Sequence, residues 1–466
     1  MKHFAAALAS MAPIWAAACV DCHKPQAEAL ARSGMGRSFR VAAADLPGGR
    51  FVHALSKTSA SVSGTTHTVG GLGQEIRYVV GSGNVGSSFL MEDRGALFQS
   101  PISYYSARKA WAVSPGYEHD RVLDFTRPVT PECLFCHAGG ANPVKGSMNR
   151  FLDPPAPLGG IPCERCHGPG ASHATNPAKL AGSVRAGVCE QCHLGGEVRV
   201  LNPGRRWEDF TPGQPVENIF TTYVGTTNVG AAGGGPLRVV SHVEQLGASR
   251  CAQASEGRMW CGSCHKVHGT ADYRASCMGC HAGSQHASSE RECTACHMPR
   301  RETVDGGHTV FTDHRIRRRP ERENPAPRAP AALRPWRESS HDRRNLGLAY
   351  IAAGTRWQSG DLVQSGFALL APNQREFERD PEVLGALGYV LMTKQRNAEA
   401  VSLLARAVTF APRDVLLRLN LGLALAGAGR KDAAQRAFQE LLELDPTVRA
   451  AAIAAKSSAI QPRSDK

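Results

Sequence analysis

The cysteines of this 466-residue chain follow one repeated pattern, which limits the possible fold more than any other feature. Fourteen of the fifteen cysteines pair as Cys-x-x-Cys, and a histidine follows every pair directly. Numbered 1 to 7 in chain order, the motifs are Cys19-Val-Asp-Cys22-His23, Cys133-Leu-Phe-Cys136-His137, Cys163-Glu-Arg-Cys166-His167, Cys189-Glu-Gln-Cys192-His193, Cys261-Gly-Ser-Cys264-His265, Cys277-Met-Gly-Cys280-His281 and Cys293-Thr-Ala-Cys296-His297. The fold must therefore accommodate whatever these seven motifs bind.

Cys-x-x-Cys-His is the attachment signature of haem c. Two intervening residues let both thiols reach the vinyl carbons of one porphyrin, and the next residue then lies over the iron as its proximal ligand. Zinc sites, disulfides and thioredoxin-like dithiols also use paired cysteines, but none of them needs a histidine at the next position. We interpret the motifs as seven haem c groups, each held by two cysteines and ligated by the adjacent histidine.

The spacing of the motifs indicates dense haem packing. The last three begin at Cys261, Cys277 and Cys293, which are 16 residues apart. Residues 19–314 supply roughly 43 residues per haem, too few to enclose each porphyrin separately. Because aromatic residues are only 6% of the chain, we expect porphyrin to fill much of the core. The predicted fold class is mainly α with much irregular structure, a haem-packed domain followed by a helical one.

The remaining histidines are candidates for the second axial position on each iron. We predict distal ligands among His53, His67, His119, His173, His268, His286, His308 and His314, with His242 and His341 as weaker candidates. An iron with two histidine ligands has no open position and transfers electrons without binding substrate. One open, catalytic haem is the alternative, although the Cys-x-x-Cys-Lys motif of related reductive enzymes is absent. We predict no catalytic residue.

The first 18 residues have the pattern of a secretory signal peptide, with Lys2 before an apolar stretch and small residues at 16–18. An N-terminal helix is the other interpretation. We expect an exported protein, in the periplasm or on the cell surface of a bacterium. The mature chain has no apolar run of about 18 residues, so we expect no transmembrane span.

Residues 315–340 are rich in Arg and Pro and predict a stiff, solvated linker. Residues 341–455 have helical periodicity, and a 34-residue repeat relates Gly388 to Gly422, Ala400 to Ala434, and Pro412 to Pro446. That period is typical of tetratricopeptide repeats. We expect a protein-docking surface there, although a structural cap or dimer contact is the alternative. Residues 456–466 are predicted to be a disordered tail.

The formal net charge of the chain is +13. A positive charge of this size could indicate a nucleic-acid partner, but the haems also carry charge. The propionates of seven haems would compensate most of it, so we predict no nucleic-acid binding. A basic arm at Arg315–Arg319 could still steer acidic redox proteins. Cys251, outside every motif, is a buried thiol, a link to another chain or an unusual ligand.

Several segments resemble the multihaem cytochrome c family, in particular the tetrahaem cytochromes that accept electrons from hydroxylamine oxidoreductase, and a subgroup fused to tetratricopeptide repeats. The segments are Cys163-Glu-Arg-Cys166-His-Gly-Pro-Gly-Ala-Ser-His173, Tyr78-Val-Val-Gly-Ser-Gly-Asn84, Trp111-Ala-Val-Ser-Pro-Gly-Tyr117 and His308-Thr-Val-Phe-Thr-Asp-His314-Arg-Ile316. The resemblance implies His173 as the distal ligand of a haem other than its own. Val85 stands where a histidine is expected after Gly-Ser-Gly-Asn, so one distal ligand departs from the pattern.

These observations predict an exported electron carrier with redox proteins as partners. Two alternatives remain: a reductase of a small nitrogen or sulfur oxyanion, and a structural or polymer-forming subunit. A family label of this kind implies electron transfer but names no substrate.

Overall fold

The computed structural model describes residues 17–43, 46–152, 159–168, 176–180, 182–226, 236–282, 292–319, 326–338, 342–373 and 375–448. Residues 1–16 of the predicted signal peptide, His173, His286, His341 and the predicted tail lie outside these ranges. Among the described helices, none combines the length and apolar composition needed to cross a bilayer.

From residue 17, the described chain forms two helices and then antiparallel sheet over residues 39–113, here called the β region. The helices are α1 (Ala17–Val20) and α2 (Lys24–Arg32), and the strands are β1 (Phe39–Val41), β2 (Gly49–Val52), β3 (Ser59–Ser63), β4 (Thr66–Val69), β5 (Leu72–Glu75), β6 (Tyr78–Val80), β7 (Gly86–Asp93), β8 (Ala96–Gln99), β9 (Ile102–Tyr105) and β10 (Ala110–Val113). Strands β2 to β5 form a meander, and the second sheet has the order β1-β6-β7-β9-β10 with β8 on β7.

Local sequence explains the meander. Strand β3 alternates exposed and buried residues along Ser59–Ser63, as a strand with one solvated face does. Val69 pairs with Leu72 across a two-residue turn, in which Gly70 and Gly71 have φ of 57° and 87°. Two successive positive φ values define the type I′ turn that matches strand twist, and glycine adopts them without steric cost.

The expectation of a mainly α fold is wrong for the β region. Its strands bury a protein core that includes Phe89, Ile102 and Trp111, and no haem motif lies between residues 24 and 132. Side chains, not porphyrin, therefore supply the core of this segment. The motifs are concentrated elsewhere, which makes their packing denser than an even division of the chain suggests.

Residues 131–314, the motif region, contain six of the seven motifs and short elements. Its helices are α3 (Pro131–His137), α4 (Glu164–His167), α5 (Gly182–His193), α6 (His242–Gly247), α7 (Arg250–Ala254), α8 (Tyr273–His281) and α9 (Cys293–His297), and its strands are β11 (Val198–Leu201), β12 (Phe220–Gly225), β13 (Arg300–Glu302) and β14 (Val310–Thr312). Apart from α5, with 12 residues, the described helices here have nine residues or fewer. The expectation of much irregular structure is confirmed in this region.

Parts of the Arg/Pro-rich segment pack on the motif region, whereas Arg318, Arg319 and residues 326–329 are exposed. Strand β15 (Leu333–Pro335) pairs with β12 and completes a three-stranded sheet with β11. Arg337 forms ion pairs with Glu190, at 2.5 Å, and with Glu217, at 3.0 Å. Arg315 is buried against Asp313. Pairing with buried carboxylates holds these arginines on the motif region, which composition alone did not reveal.

Residues 342–444, the helical region, form antiparallel helix pairs. The helices are α10 (Asp342–Trp357), α11 (Gly360–Leu370), α12 (Pro381–Thr393), α13 (Asn397–Phe410), α14 (Val415–Gly427) and α15 (Lys431–Leu444). Gly388 faces Leu404, and Gly422 faces Phe438, so closely that a Cβ at either glycine would overlap these side chains. The 34-residue repeat therefore places its glycines where paired helices meet.

The helical region is fixed to the motif region at two places. The side chain of Asn345 donates to Asn202 Oδ1 at 2.8 Å, and Arg344 donates to the carbonyl of Leu201 at 3.1 Å. Far along the chain, Val415 N–H donates to the carbonyl of Gly146 at 2.8 Å. Contacts at both ends of the repeat array hold it in one orientation.

Phe438→Ala should destabilise the helical region. Phe438 is fully buried, and truncating a buried Phe costs about 3–5 kcal/mol. Urea unfolding followed by circular dichroism at 222 nm measures the loss. The control is Phe410→Ala, because Phe410 is 42% exposed and its loss should cost less than about 1 kcal/mol. Equal losses in the two variants would contradict this packing.

Candidate haem-binding motifs

All seven motifs adopt a helical turn that ends at or near the histidine. His137, His193, His281 and His297 are the last residues of α3, α5, α8 and α9. In motifs 1, 3 and 5, the histidine N–H donates to the carbonyl of the first cysteine, at 2.8 Å for His23 and 2.9 Å for His167 and His265. Residues three and four apart lie on one face of a helix. Both cysteines and the histidine of each motif therefore point to the same side.

Two predicted distal ligands lie opposite proximal histidines. The imidazoles of His167 and His268 have centres 5.9 Å apart and planes inclined by 16°. Those of His265 and His314 are 6.1 Å apart and inclined by 25°. A metal–imidazole bond is about 2 Å long, so two imidazoles across one metal have centres roughly 6 Å apart. Both pairs have the spacing of axial ligands on a shared iron.

His242 faces the proximal histidine of motif 4, although the sequence made it only a weaker candidate. Its ring lies 5.4 Å from that of His193, with the planes at 89°. Its Nδ1 is buried and has no hydrogen-bond partner among the described residues. The ring of His314 is 4.9 Å away. Sequence spacing carried no signal for this pair, because the start of α6 reaches α5 only through the tertiary fold.

The hydrogen bonds of two histidines favour iron ligation through Nε2. Nδ1 of His297 lies 2.8 Å from the carbonyl oxygen of Arg317, and Nδ1 of His314 lies 3.0 Å from that of Thr312. A carbonyl only accepts, so Nδ1 carries the proton and the ring lone pair is on Nε2. A metal-bound histidine commonly donates its other N–H in this way.

The other described candidates have different surroundings. His67 is fully buried in the core of the β region, with ring centres 4.8 Å from Phe89 and 5.6 Å from Trp111. Burial lowers the pKa of His67 to about 4, so the ring is neutral at pH 7. His308 contacts Tyr105 of β9, at 5.2 Å between ring centres. His119 is exposed.

The backbone N–H of Ser56 donates to Nδ1 of His53 at 3.3 Å. Such a bond places the imidazole proton on Nε2, the opposite tautomer to that of His314. Of the eight predicted distal ligands, the described structure brings only His268 and His314 to a proximal histidine.

Residues of different motifs also contact each other. Sγ of Cys136 in motif 2 lies 3.9 Å from the carbonyl oxygen of Gln191 in motif 4, and the Gln191 side chain donates to the carbonyl of Arg165 in motif 3 at 2.8 Å. The neighbouring thiol of Cys192 lowers the pKa of Cys136 to about 6, with help from Arg199, whose guanidinium nitrogens lie 3.5 and 3.6 Å from its sulfur. The attachment points of neighbouring motifs are therefore close together.

A family model described as cytochrome c554 and c-prime matches residues 106–168, the segment that contains motifs 2 and 3. A tetratricopeptide repeat model matches residues 417–448. Over these two segments the chain is similar to c-type cytochromes and to tetratricopeptide repeat proteins. The resemblance to a multihaem cytochrome c joined to tetratricopeptide repeats, predicted from the sequence, is confirmed.

Solved structures similar to this chain include MamA and OcwA. A structure of MamA MSR-1 is 28% identical over 25% of this chain and 66% of its own, with a TM-score of 0.21. A structure of MamA AMB-1 is 27% identical over 25% of this chain and 68% of its own, with a TM-score of 0.21. This chain therefore spans about two thirds of the length of the MamA chains. The outer cell wall cytochrome OcwA is 14% identical over 94% of this chain and 98% of its own, with a TM-score of 0.40. A search of curated proteins found no match.

The residues present fit haem c. The helical turns put two thiols and an imidazole on one face, and the paired imidazoles have the spacing of two ligands on one metal. Bound haem supplies an iron that accepts and releases one electron. The chain's own residues would attach it through cysteine and orient the imidazoles through backbone carbonyls.

His314→Ala should open one iron. Removing the ring opposite His265 leaves that haem with one protein ligand, so we expect one high-spin haem that binds carbon monoxide when reduced. Electronic absorption and paramagnetic resonance spectra measure the change. The control is Phe311→Leu, which removes a nearby ring from β14 and should keep the wild-type spectrum. A His314→Ala protein without a new high-spin signal would contradict the pairing.

Proposed function

We propose that this cytochrome is exported and transfers electrons through seven covalently bound haems, most of them with two histidine ligands. In this proposal the fourteen motif cysteines attach the haems, and His23, His137, His167, His193, His265, His281 and His297 are the proximal ligands. The observation that carries the proposal is the set of imidazole pairs at motifs 3, 4 and 5, with ring centres 5.4 to 6.1 Å apart.

Two imidazoles on one iron leave no position for a substrate. Electrons then enter and leave through the porphyrin edge, with little rearrangement of ligands. For motifs 3, 4 and 5 we propose His268, His242 and His314 as the distal ligands. His173 and His286, outside the described residues, remain proposed ligands, as do His53, His67, His119 and His308. The three closed irons support electron transfer over reduction of a bound oxyanion.

We propose redox proteins as partners, with the helical region as a docking surface. Leu416 and Leu423, both on α14, are 49% and 39% exposed, and residues seven apart lie on one helix face. Such an apolar face is typical of a protein contact site. Of the predicted basic arm, Arg318 and Arg319 are exposed and can steer an acidic partner. Arg315 is buried and does not contribute.

Export is supported by the pattern of residues 1–18 and by the chemistry of the cofactor, which is attached outside the cytoplasm. The proposed location is the periplasm or the cell surface of a bacterium. The haem propionates offset most of the formal charge of +13, so this charge gives no support to nucleic-acid binding.

A redox titration of the native protein tests the proposal. We expect several overlapping low-potential steps, because seven haems with two histidines each interact electrostatically. The paramagnetic resonance spectrum should be mostly low-spin. A mostly high-spin spectrum, with binding of cyanide or nitrite and turnover of nitrite by the reduced protein, would contradict it and support a reductase.

A further inference from the structure

We propose that the seven motifs form a three-armed electron path that meets at motif 4. One arm leads through motif 3 to motif 1, the second is motif 2, and the third runs in single file through motifs 5, 6 and 7. This inference rests on the proposed function, since it requires a haem at each motif. It assigns the spatial order that the sequence alone does not give.

The first arm skips motif 2 although motif 2 follows motif 1 in the chain. The backbone joins the segments that flank motifs 1 and 3, because Ile161 N–H donates to the carbonyl of Met35 at 3.0 Å. Gly160 packs directly against the carbonyls of Met35 and Gly36. Met35 follows α2, directly after motif 1, and Ile161 lies two residues before motif 3. The β region separates motifs 1 and 2 in the sequence. Motif 3, and not motif 2, is therefore the proposed neighbour of motif 1.

Motif 4 is the junction because it contacts three other motifs. Its Gln191 carbonyl oxygen lies 3.9 Å from Sγ of Cys136 in motif 2. Its Gln191 side chain donates to the carbonyl of Arg165 in motif 3 at 2.8 Å. Arg185, on the helix that carries motif 4, lies over the ring of Trp260, directly before motif 5, at 4.9 Å from the ring centre.

Motifs 2 and 3 also touch, since Arg165 donates to the carbonyl of Phe135 at 2.9 Å. The three motifs therefore surround one point.

The third arm is linear. The hydroxyl of Tyr273, at the start of α8, lies 3.4 Å from Nδ1 of His265, which joins motif 5 to the helix that carries motif 6. Helices α8 and α9, which carry motifs 6 and 7, pack against each other, which joins motif 6 to motif 7. The 16-residue spacing of these motifs therefore corresponds to successive positions in space.

The exposure of the cysteines agrees with an electron path that has three outer ends and a partly buried centre. Cys22 of motif 1, Cys133 of motif 2, Cys280 of motif 6 and Cys296 of motif 7 are exposed. The six cysteines of motifs 3, 4 and 5 are all partly buried. Electrons exchanged with partner proteins should therefore pass through motif 1, motif 2 or the motif 6 and 7 end. Motifs 3 to 5 relay them.

Iron positions in crystals of the native protein, located by anomalous scattering at the iron edge, test this order. We expect the iron of motif 1 to have that of motif 3 as its nearest neighbour. The iron of motif 4 should have those of motifs 2, 3 and 5 around it, and the iron of motif 7 should have that of motif 6 nearest.

An iron of motif 1 closest to that of motif 2, or an iron of motif 7 closer to motif 4 than to motif 6, would overturn the order. Fewer than seven irons would instead contradict the proposed function. The two failures are thus distinguishable in one map, and no variant that could misfold is needed.

Discussion

The helical turn of Cys-x-x-Cys-His is the constraint from which the organisation of this chain follows. It presents two thiols and an imidazole on one face, and seven haems on such turns would need opposing ligands and closely packed neighbours. Imidazoles distant in sequence face two of these histidines, since His268 lies opposite His167 and His242 lies opposite His193. The motif region is accordingly built of short elements whose arrangement is governed by the motifs they carry.

Side chains alone form the cores of the β region and the helical region. Both regions hold the motif region in place. The β region has its own apolar core around Phe89 and Trp111. The segment before the helical region contributes Arg337, which pairs with buried Glu190 inside motif 4. An unpaired carboxylate buried there would be costly. The proposed junction of the electron path is therefore tied directly to the segment that leads to the helical region, the proposed docking surface.

Sequence reasoning identified what is encoded locally. The motifs, the 34-residue repeat and the glycines at the helix contacts depend on spacing within one or two elements. The β region was not predicted, because seven haems were expected to fill most of the core. The alternation in Ser59–Ser63 and the Gly70-Gly71 turn did indicate strands there. The His193 and His242 pair and the burial of Arg315 depend on tertiary contacts, which no local pattern reports.

Covalent attachment of seven haems is the central claim, and the intact mass of the native secreted protein tests it most directly. The account predicts the mass of the processed chain plus seven haems, retained under denaturing conditions because thioether bonds do not dissociate. A processed chain without added porphyrin, or with zinc bound at the cysteines, would contradict it.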